Sequence, residues 1–311
     1  MSRDAFILYP MKKLTSILLM ALMVTGIIII ASSCRKKAKA ETFSFAFISD
    51  IHLQPESNAV QGFLEAIDTI NDLKPDFVIT GGDLIMDALR QRHGKADSLY
   101  TLYQETAKSL KMPVYNTMGN HEIYGIYRSS GADPADPDYG EKMFENHFGK
   151  SYYSFDHKGW KFMILNSIED AGNDSYIGLI DEKQVGWIKE ELQKTDPATP
   201  IVLSTHIPFI TVETQKYKGT TLPNDSSLVI VNGKEVIDLF RGYNLKLVLQ
   251  GHLHIYEEIY IDGIRFITGG AIAGGWWKGP YLGHEEGFVL INVKGIEFTP
   301  EYVDYKWIVE Q

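Results

Sequence analysis

The stretch FSFAFISDIH, residues 43–52, places two polar side chains, Asp50 and His52, at the end of an apolar run. A short run rich in aromatic and β-branched residues is typical of a strand that is buried on both faces. In open α/β sheets, ligands bind at the carboxyl ends of such strands. The stretch therefore predicts a buried strand that brings an aspartate and a histidine to the edge of a sheet.

Four later segments repeat this arrangement, an apolar run followed by polar residues at a turn: DFVITGGD (76–83), PVYNTMGNHE (113–122), IVLSTH (201–206) and LKLVLQGHLH (245–254). Across the five segments, the polar residues at the strand ends are Asp50, His52, Asp83, Asn120, His121, His206, His252 and His254. Taken singly, each is explained as a turn residue, a helix cap or a solvated histidine. Carboxylate, amide oxygen and imidazole are also the ligands of divalent cations. Five strand ends with the same chemistry predict one shared metal site.

The ordered motifs DIH, GGD, GNHE, TH and GHLH resemble those of the calcineurin-like metallophosphoesterases, a superfamily of dinuclear phosphatases and phosphodiesterases. The resemblance covers residues 43–302 approximately. It implies an α/β fold, a four-layer αββα sandwich of two mixed β-sheets flanked by helices.

The residue pattern agrees with that fold. Helical periodicity appears at 58–73, 96–111, 181–194 and 234–242. Hairpin signals follow, one with an Asp262-Gly263 turn and one around Lys294-Gly295. Asp181 is predicted to cap its helix, with Gln184 completing an approximate capping box.

Carried over position by position, the resemblance implies two divalent metal ions, Mn, Fe or Zn. The implied ligands are Asp50, His52 and His254 for the first ion, Asn120, His206 and His252 for the second, and Asp83 as a bridge. One carboxylate can hold two cations about 3.5–4 Å apart, and a hydroxide between them would attack phosphorus. His121 is implied to assist the leaving group, which suits an imidazole because its pKa lies near working pH.

Two positions beside the motifs bear on this chemistry. Met86 stands where purple acid phosphatases carry an iron-binding tyrosine, so a tyrosinate-bound Fe(III) is not expected. The site looks more like that of cyclic-nucleotide phosphodiesterases and related bacterial branches. Glu122 either orients His121, as carboxylates commonly orient imidazoles, or is a surface residue, and the sequence favours neither.

Substrate contacts are expected from two irregular stretches. Residues 123–140 are rich in Gly, Pro and Asp, and their Tyr124 and Arg128 lie soon after the GNHE motif. Trp276 and Trp277 lie in a Gly-rich loop, and at least one of them is predicted to stack on a nucleobase or sugar ring. The alternatives are a plain surface loop for the first stretch and, for the tryptophans, packing of one under the loop while the other caps the sheet edge.

Residues 1–33 resemble an export signal. Two lysines precede a charge-free run, residues 14–33, and Cys34 follows in the sequence IIASSC. This sequence resembles the lipobox of bacterial lipoproteins, in which the cysteine is lipidated. A transmembrane anchor is the alternative, because the run approaches the length that spans a bilayer. Met11 is a better candidate start than Met1, since the signal would then begin with MKK.

The expected organisation is a signal peptide (1–33), a tether (34–42) and a metallophosphoesterase domain (43–311).

The formal net charge is −10, and cleavage before Cys34 would remove three basic residues and one acidic residue, giving −12. Binding of long nucleic acid requires a basic face, so this class of function is excluded. A single cysteine excludes a disulfide framework. The expected partners are a membrane, through a lipid on Cys34, and a small phosphoester, with no protein partner evident.

The predicted function is a dinuclear-metal phosphoester hydrolase at the cell envelope, facing the periplasm or the exterior. Its expected substrate is a small phosphodiester, such as a cyclic nucleotide, or a phosphomonoester. The alternative is a non-catalytic lipoprotein that binds metal, phosphate or glycan and retains the phosphoesterase fold. Asp83, Asn120 and His121 are all present, and this favours the enzyme.

Overall fold

The computed structural model describes residues 40–309, so the predicted export signal and Cys34 lie outside the described residues. Within this range the strands are β1 (Thr42–Ile48), β2 (Phe77–Thr80), β3 (Val114–Tyr115), β4 (Tyr153–His157), β5 (Trp160–Ile164), β6 (Ile168–Asp170), β7 (Tyr176–Gly178), β8 (Pro200–Ser204), β9 (Asn244–Gln250), β10 (Tyr256–Ile261), β11 (Ile264–Gly269), β12 (Gly287–Lys294) and β13 (Glu297–Asp304). The α-helices are α1 (Ala59–Leu73), α2 (His93–Ala107), α3 (Lys142–Phe148), α4 (Glu182–Gln193), α5 (Glu213–Tyr217) and α6 (Gly233–Asp238). Two single 3₁₀ turns lie at Asn120–Glu122 and Arg128–Ser130.

Two large sheets organise these strands. The first has the order β13-β12-β1-β2-β3, and the second has the order β10-β11-β9-β8-β5-β4. In the first sheet β1, β2 and β3 are parallel, whereas β12 and β13 run antiparallel. In the second sheet β5, β8, β9 and β11 are parallel and the two outer strands are antiparallel. Both sheets are therefore mixed, and their parallel strands bring their carboxyl ends to one edge.

Strand β1 is buried on both of its faces, as its sequence predicts. Phe43, Phe45 and Phe47 belong to the apolar cluster that joins the two sheets. Ala46 and Ile48 point the other way, into the cluster that contains the buried faces of the helices. Because successive side chains alternate between faces, a strand covered on both sides is almost continuously apolar, and in β1 the half-buried Ser44 is the exception between Phe43 and Ile48.

Aromatic rings fill the space between the sheets. The Phe45 ring stacks on that of Phe77, with centroids 5.1 Å apart and planes 5° apart. The Phe162 ring of the second sheet meets Phe45 edge-on, at 5.4 Å. Such pairs contribute about 0.5–1.5 kcal/mol each beyond the burial of their area. This core fixes the distance between the two sheets and hence between the strand ends that carry the polar motifs.

The outer layers are helices with one apolar face. In α1 the buried side chains include Phe63, Ile67 and Ile70, which recur at helical spacing. In α4 they include Ile188 and Leu192. The structure confirms the predicted four-layer αββα sandwich of two mixed sheets flanked by helices.

Local predictions were confirmed in part. Helices were predicted at 58–73 and 181–194 and are present there as α1 and α4, whereas α2 begins and ends a few residues earlier than the predicted 96–111. The Asp262-Gly263 turn joins β10 to β11, with Ile261 paired to Ile264. Both turn residues have positive φ, 52° and 83°, as a type I′ turn requires.

The predicted N-terminal cap of α4 is present, but the predicted capping box is not. Asp181 accepts a hydrogen bond from the Gln184 backbone N–H at 2.6 Å, so the predicted cap is present. The Gln184 side chain does not complete a capping box. Instead it exchanges two hydrogen bonds with the backbone of Asn166, which ties the helix to the segment after β5.

Residues from Glu41 onward form one compact unit. Within residues 40–309, no helix combines the length and the apolar character needed to cross a bilayer. The bounds of the signal peptide, the tether and the domain stay predictions.

Candidate metal centre

Five of the eight motif residues have a left-handed backbone that residues with a side chain rarely adopt. The φ angles are 55° at Asp50, 45° at His52, 52° at Asp83, 74° at His252 and 56° at His254. Each such residue costs about 1–2 kcal/mol relative to a right-handed conformation. Conformations of this kind persist where the surrounding structure holds them, and they cluster at functional sites.

Asp50, His52 and His254 form the first group of potential ligands. The Nε2 atoms of His52 and His254 lie 2.9 Å apart. The Asp50 Oδ1 atom lies 3.4 Å from His254 Nε2 and 4.0 Å from His52 Nε2. All three side chains are buried, and their ligand atoms are close enough to hold one ion.

A second group surrounds His206. Its Nε2 atom lies 3.0 Å from Asn120 Oδ1 and 3.1 Å from His252 Nδ1. The same nitrogen lies 3.3 Å from Asp83 Oδ1. Ligands of a tetrahedral ion with bonds of about 2.0–2.1 Å would be separated by about 3.3 Å, so this spacing suits a single cation.

Asp83 lies between the two groups and directs one oxygen toward each. Its Oδ1 atom faces His206, whereas its Oδ2 atom lies 3.6 Å from His52 Nε2. A carboxylate placed in this way can bridge two cations. The sequence prediction named this residue as the bridge.

The imidazole rings are oriented for metal binding by backbone carbonyl groups. His206 Nδ1 donates a hydrogen bond to the Gly81 carbonyl at 2.7 Å, and His254 Nδ1 donates to the Gly274 carbonyl at 2.5 Å. With the hydrogen on Nδ1, the Nε2 lone pairs of both rings point into the site. His52 differs, because its buried Nδ1 has no hydrogen-bond partner among residues 40–309. The nitrogen and oxygen donors present fit a pair of divalent cations.

Burial and charge set different protonation states in the metal-free site. Desolvation, followed by the charge on His206, lowers the pKa of His252 to about 3. Burial also opposes a charged His206, but the neighbouring Asp83 carboxylate outweighs it and raises the pKa of His206 to about 9. Burial opposes ionisation of Asp83 as well, yet His206 and His121 hold its pKa well below the usual range. At neutral pH, metal binding must therefore displace a proton from His206.

His121 lies next to the first group of ligands. Its ring centroid is 4.5 Å from that of His52, and its Nε2 atom is 3.8 Å from Asp83 Oδ2. Its Nδ1 atom donates to the Met86 carbonyl, and its side chain is 17% exposed. His121, like His252, is thus partly exposed and can be reached by a substrate from solvent. Its Nε2 atom also lies close enough to His52 and Asp83 to share an ion, so its role stays a prediction.

Neither interpretation of Glu122 was right. The side chain is fully buried, and the His121 Nδ1 atom bonds to the Met86 carbonyl instead of to Glu122. Its carboxylate accepts hydrogen bonds from four backbone N–H groups, those of Asp83 (2.9 Å), Leu84 (2.8 Å), Ile85 (3.1 Å) and Gly119 (2.7 Å). Burial, followed by the charge of Asp83, raises the pKa of Glu122 to about 7. Glu122 therefore clamps the GGD loop to the GNHE loop.

Gly119 is required at the same junction. A Cβ atom there would overlap the backbone nitrogen and the Oδ1 atom of Asp83. The glycine of the GNHE motif therefore gives Asp83 the room to lie between the two groups of potential ligands.

The two residues predicted to contact substrate in the loop after the GNHE motif have partners within the protein. Tyr124 is 2% exposed and its ring packs edge-on against His93, so it offers little surface to a substrate, and its role stays a prediction. Arg128 is exposed and pairs with Asp174 at 3.2 Å, which gives it a partner outside the metal centre. The reason is that Tyr124 and Gly140 exchange backbone hydrogen bonds, which close the loop on itself.

The two adjacent tryptophans have different surroundings. Trp277 is 1% exposed, and its Nε1–H donates to the carbonyls of Ile51 (3.0 Å) and His52 (3.2 Å). These contacts favour packing under the loop, the alternative to a substrate contact, for Trp277. Trp276 is partly exposed, and its ring centroid lies 4.4 Å from that of His254 and 5.9 Å from that of His52.

Sequence reasoning missed three residues at the site. Ser49 Oγ donates a 2.5 Å hydrogen bond to Asp50 Oδ2. The rings of Tyr176 and Tyr281 lie 6.2 Å from that of His252 and 5.7 Å from that of His254, respectively. Ser49 precedes the DIH motif directly, so its position was a usable signal. The tyrosines lie in no motif, and only the fold brings them to the site.

Known proteins resemble this chain in sequence. Residues 43–256 match the family model described as calcineurin-like phosphoesterase. Purple acid phosphatase 23 from Arabidopsis thaliana is 29% identical over 159 residues, which cover 48% of this chain and 30% of that protein. A probable cyclic nucleotide phosphodiesterase from Moraxella catarrhalis is 25% identical over 171 residues, which cover 53% of this chain and 57% of that protein. The chain thus spans between about a third and somewhat more than half of the length of these relatives.

A solved structure resembles this one in fold. The dimetal phosphatase from Danio rerio superposes with a TM-score of 0.57 and covers 85% of this chain and 99% of its own, at 14% identity. At this identity the likeness establishes the fold alone. The family model, in contrast, spans more than half of the sequence and includes every candidate ligand. This chain belongs to the calcineurin-like phosphoesterase family.

Proposed function

We propose that this chain is a phosphoester hydrolase that uses two divalent cations. The observation that supports this most directly is the position of Asp83, whose two carboxylate oxygens face two separate groups of ligands. A single structural ion would need only one of these groups. Two groups that share a carboxylate are the arrangement used for in-line displacement at phosphorus.

Each side chain has a role in this proposal. The proposed ligands are Asp50, His52 and His254 for one cation, Asn120, His206 and His252 for the other, and Asp83 for both. Bound cations would acidify water to form the nucleophile and would neutralise charge on the phosphoryl group. Ser49 holds the Asp50 carboxylate, and the backbone carbonyls of Gly81 and Gly274 hold the rings of His206 and His254.

His121 is proposed to protonate the leaving oxygen. Its Nδ1–H donates to the Met86 carbonyl, and this contact fixes the ring with Nε2 directed toward the centre. When both ring nitrogens carry hydrogen, the Nε2 proton is the one free to transfer. The proton then passes to the departing alkoxide while Nδ1 keeps its hydrogen bond.

The donor set suits Mn, Fe(II) or Zn. Met86 contributes a thioether packed against the apolar core, and its carbonyl binds His121. Since this position offers no phenolate, a tyrosinate-bound Fe(III) has no ligand here.

The proposed substrate is a small phosphodiester, such as a cyclic nucleotide, or a phosphomonoester. The similar proteins are named for both activities, one as a phosphatase and one as a probable cyclic nucleotide phosphodiesterase. The chain carries a formal net charge of −10, so its overall field does not attract phosphate, and the cations must supply local attraction.

The same proposal includes a location at the cell envelope, through a lipid on Cys34, and it rests on the sequence of residues 1–34. Expression in bacteria with a radiolabelled fatty acid tests it. The full chain should be labelled and should sediment with membranes, and Cys34→Ala should lose the label. Equal labelling of both proteins would overturn the proposed anchor.

The enzymatic proposal is tested by metal analysis together with hydrolysis. The purified protein, reconstituted separately with Mn, Zn and Fe(II), should bind two ions per chain. It should then hydrolyse bis(4-nitrophenyl) phosphate or 4-nitrophenyl phosphate, and a chelator should abolish the activity. Bound metal without hydrolysis of either ester would instead support a protein that binds phosphate without cleaving it.

A further inference from the structure

We infer that Trp276 and Tyr281 form a subsite for a planar, ring-bearing leaving group next to the first group of ligands. This inference rests on the proposed phosphoesterase function and specifies the class of ester that the site accepts.

The two rings form an aromatic wall along the metal centre. The Trp276 ring lies over that of His254, with centroids 4.4 Å apart and planes inclined by 34°. Tyr281 stands edge-on to Trp276 at 5.6 Å, with an interplanar angle of 83°. Both residues are partly exposed, so ring surface beside the metal ligands remains accessible to a substrate.

The loop is built to hold Trp276 in this position. Its neighbour Trp277 is buried and bonded to the carbonyls of Ile51 and His52, and its ring lies directly against Gly62 of α1, where a Cβ atom would overlap it. Trp276 and Trp277 both have positive φ, 55° and 65°. Bulky residues rarely adopt this conformation, and it persists only where other contacts impose it. The anchor at Trp277 imposes it, and Trp276 is thereby placed over the ligands.

The position of His121 indicates which part of the substrate meets this wall. His121 and Trp276 are both neighbours of the same imidazole, that of His52, at 4.5 Å and 5.9 Å between centroids. His121 is the residue proposed to protonate the departing oxygen. The group attached to that oxygen therefore leaves next to His52, an imidazole that Trp276 also borders.

The chemistry of the wall favours an aromatic ring, such as a nucleobase or an aryl group. Stacking of a base on an aromatic side chain contributes on the order of tenfold to a hundredfold in affinity. A sugar would need hydrogen-bond partners for several hydroxyl groups, and the two side chains offer only one indole N–H and one phenol.

Trp276→Ala and Trp276→Phe test the inference, with Trp187→Ala as a matched control. Trp187 packs against Tyr152 in a groove on α4 that none of the metal ligands lines. For each variant, kcat/KM is measured with 4-nitrophenyl phosphate and with 2,2,2-trifluoroethyl phosphate, or with the corresponding diesters. Dividing each variant's value by that of the wild type removes the intrinsic reactivity of the two leaving groups.

Trp276→Ala should lower kcat/KM for the aryl ester about tenfold more than for the alkyl ester. Trp276→Phe should retain most of the aryl preference, and Trp187→Ala should change neither value. An equal loss with both esters, or no loss, would overturn the inference. A wild-type protein that hydrolyses neither ester would instead contradict the proposed function.

Binding gives a second measurement that does not depend on turnover. Phenylphosphonate should bind the metal-loaded wild type about tenfold more tightly than methylphosphonate, as measured by titration calorimetry. This difference should disappear in Trp276→Ala, whose metal content should match the wild type. Equal affinities in the wild type, or tighter binding of glucose 6-phosphate than of phenylphosphonate, would overturn an aromatic subsite.

Discussion

Replacing Glu122 with glutamine should loosen the junction that positions Asp83. The two carboxylate oxygens of Glu122 accept four backbone hydrogen bonds, two at each oxygen. Both oxygens can accept whether or not the carboxyl group is protonated, whereas the amide NH₂ of glutamine cannot accept. Two of the four buried N–H donors would therefore face another donor.

The expected loss follows from those two contacts. A hydrogen bond contributes about 0.5–1.5 kcal/mol net, and a buried donor left without a partner costs about 1–3 kcal/mol. For two donors the free energy of unfolding should fall by roughly 2–6 kcal/mol, a large part of the usual stability of a domain. Because the Asp83 backbone is one of the partners, metal affinity should also fall, by about 10–100-fold as for other residues that support metal ligands.

Urea unfolding of the metal-free protein measures the first effect, and calorimetric titration with Mn measures the second. Glu105→Gln is the matched control, because Glu105 is 61% exposed and forms an ion pair with Lys108 at the surface. Its effect should stay within about 0.5 kcal/mol. If Glu122→Gln matched this control in both stability and metal affinity, the clamp interpretation would be refuted.

Three other predictions concern the metal centre. Asp83→Ala should leave almost no bound metal by elemental analysis, and two retained ions would show that Asp83 is not the bridge. His121→Ala should keep its metals but lose about 10²–10⁴-fold in kcat, since it removes only the proton donor; loss of metal would identify it as a ligand. The pKa of about 9 means that His206 is protonated at neutral pH in the metal-free protein, so a metal ion must displace that proton. Metal affinity should therefore rise about tenfold per pH unit from about pH 6 to 8. Calorimetry in two buffers should detect one proton released from the protein for each metal ion bound at His206. A pH-independent affinity would contradict that protonation state.

Sequence reasoning was sufficient for the features that repeat along the chain. The burial of β1 on both faces, the helical spacing of α1 and the Asp262-Gly263 turn each follow from local pattern and residue type. The candidate ligands could be named for the same reason. Each follows an apolar strand, and parallel strands bring their carboxyl ends together.

The identity of side-chain partners in the loops was decided by the tertiary structure alone. Glu122 lies next to His121 in sequence but bonds to Asp83, 39 residues away, and Trp277 bonds to Ile51, 226 residues away. Trp276 and Trp277 lie in the same Gly-rich loop, so the local sequence does not distinguish them. Trp277 is nevertheless buried and anchors the loop, whereas Trp276 lies beside the metal ligands. Residue type and spacing specify which face of a strand or helix is buried, because that periodicity is local. The direction of a loop side chain depends on contacts between distant segments, and these exist only once the two sheets have packed together.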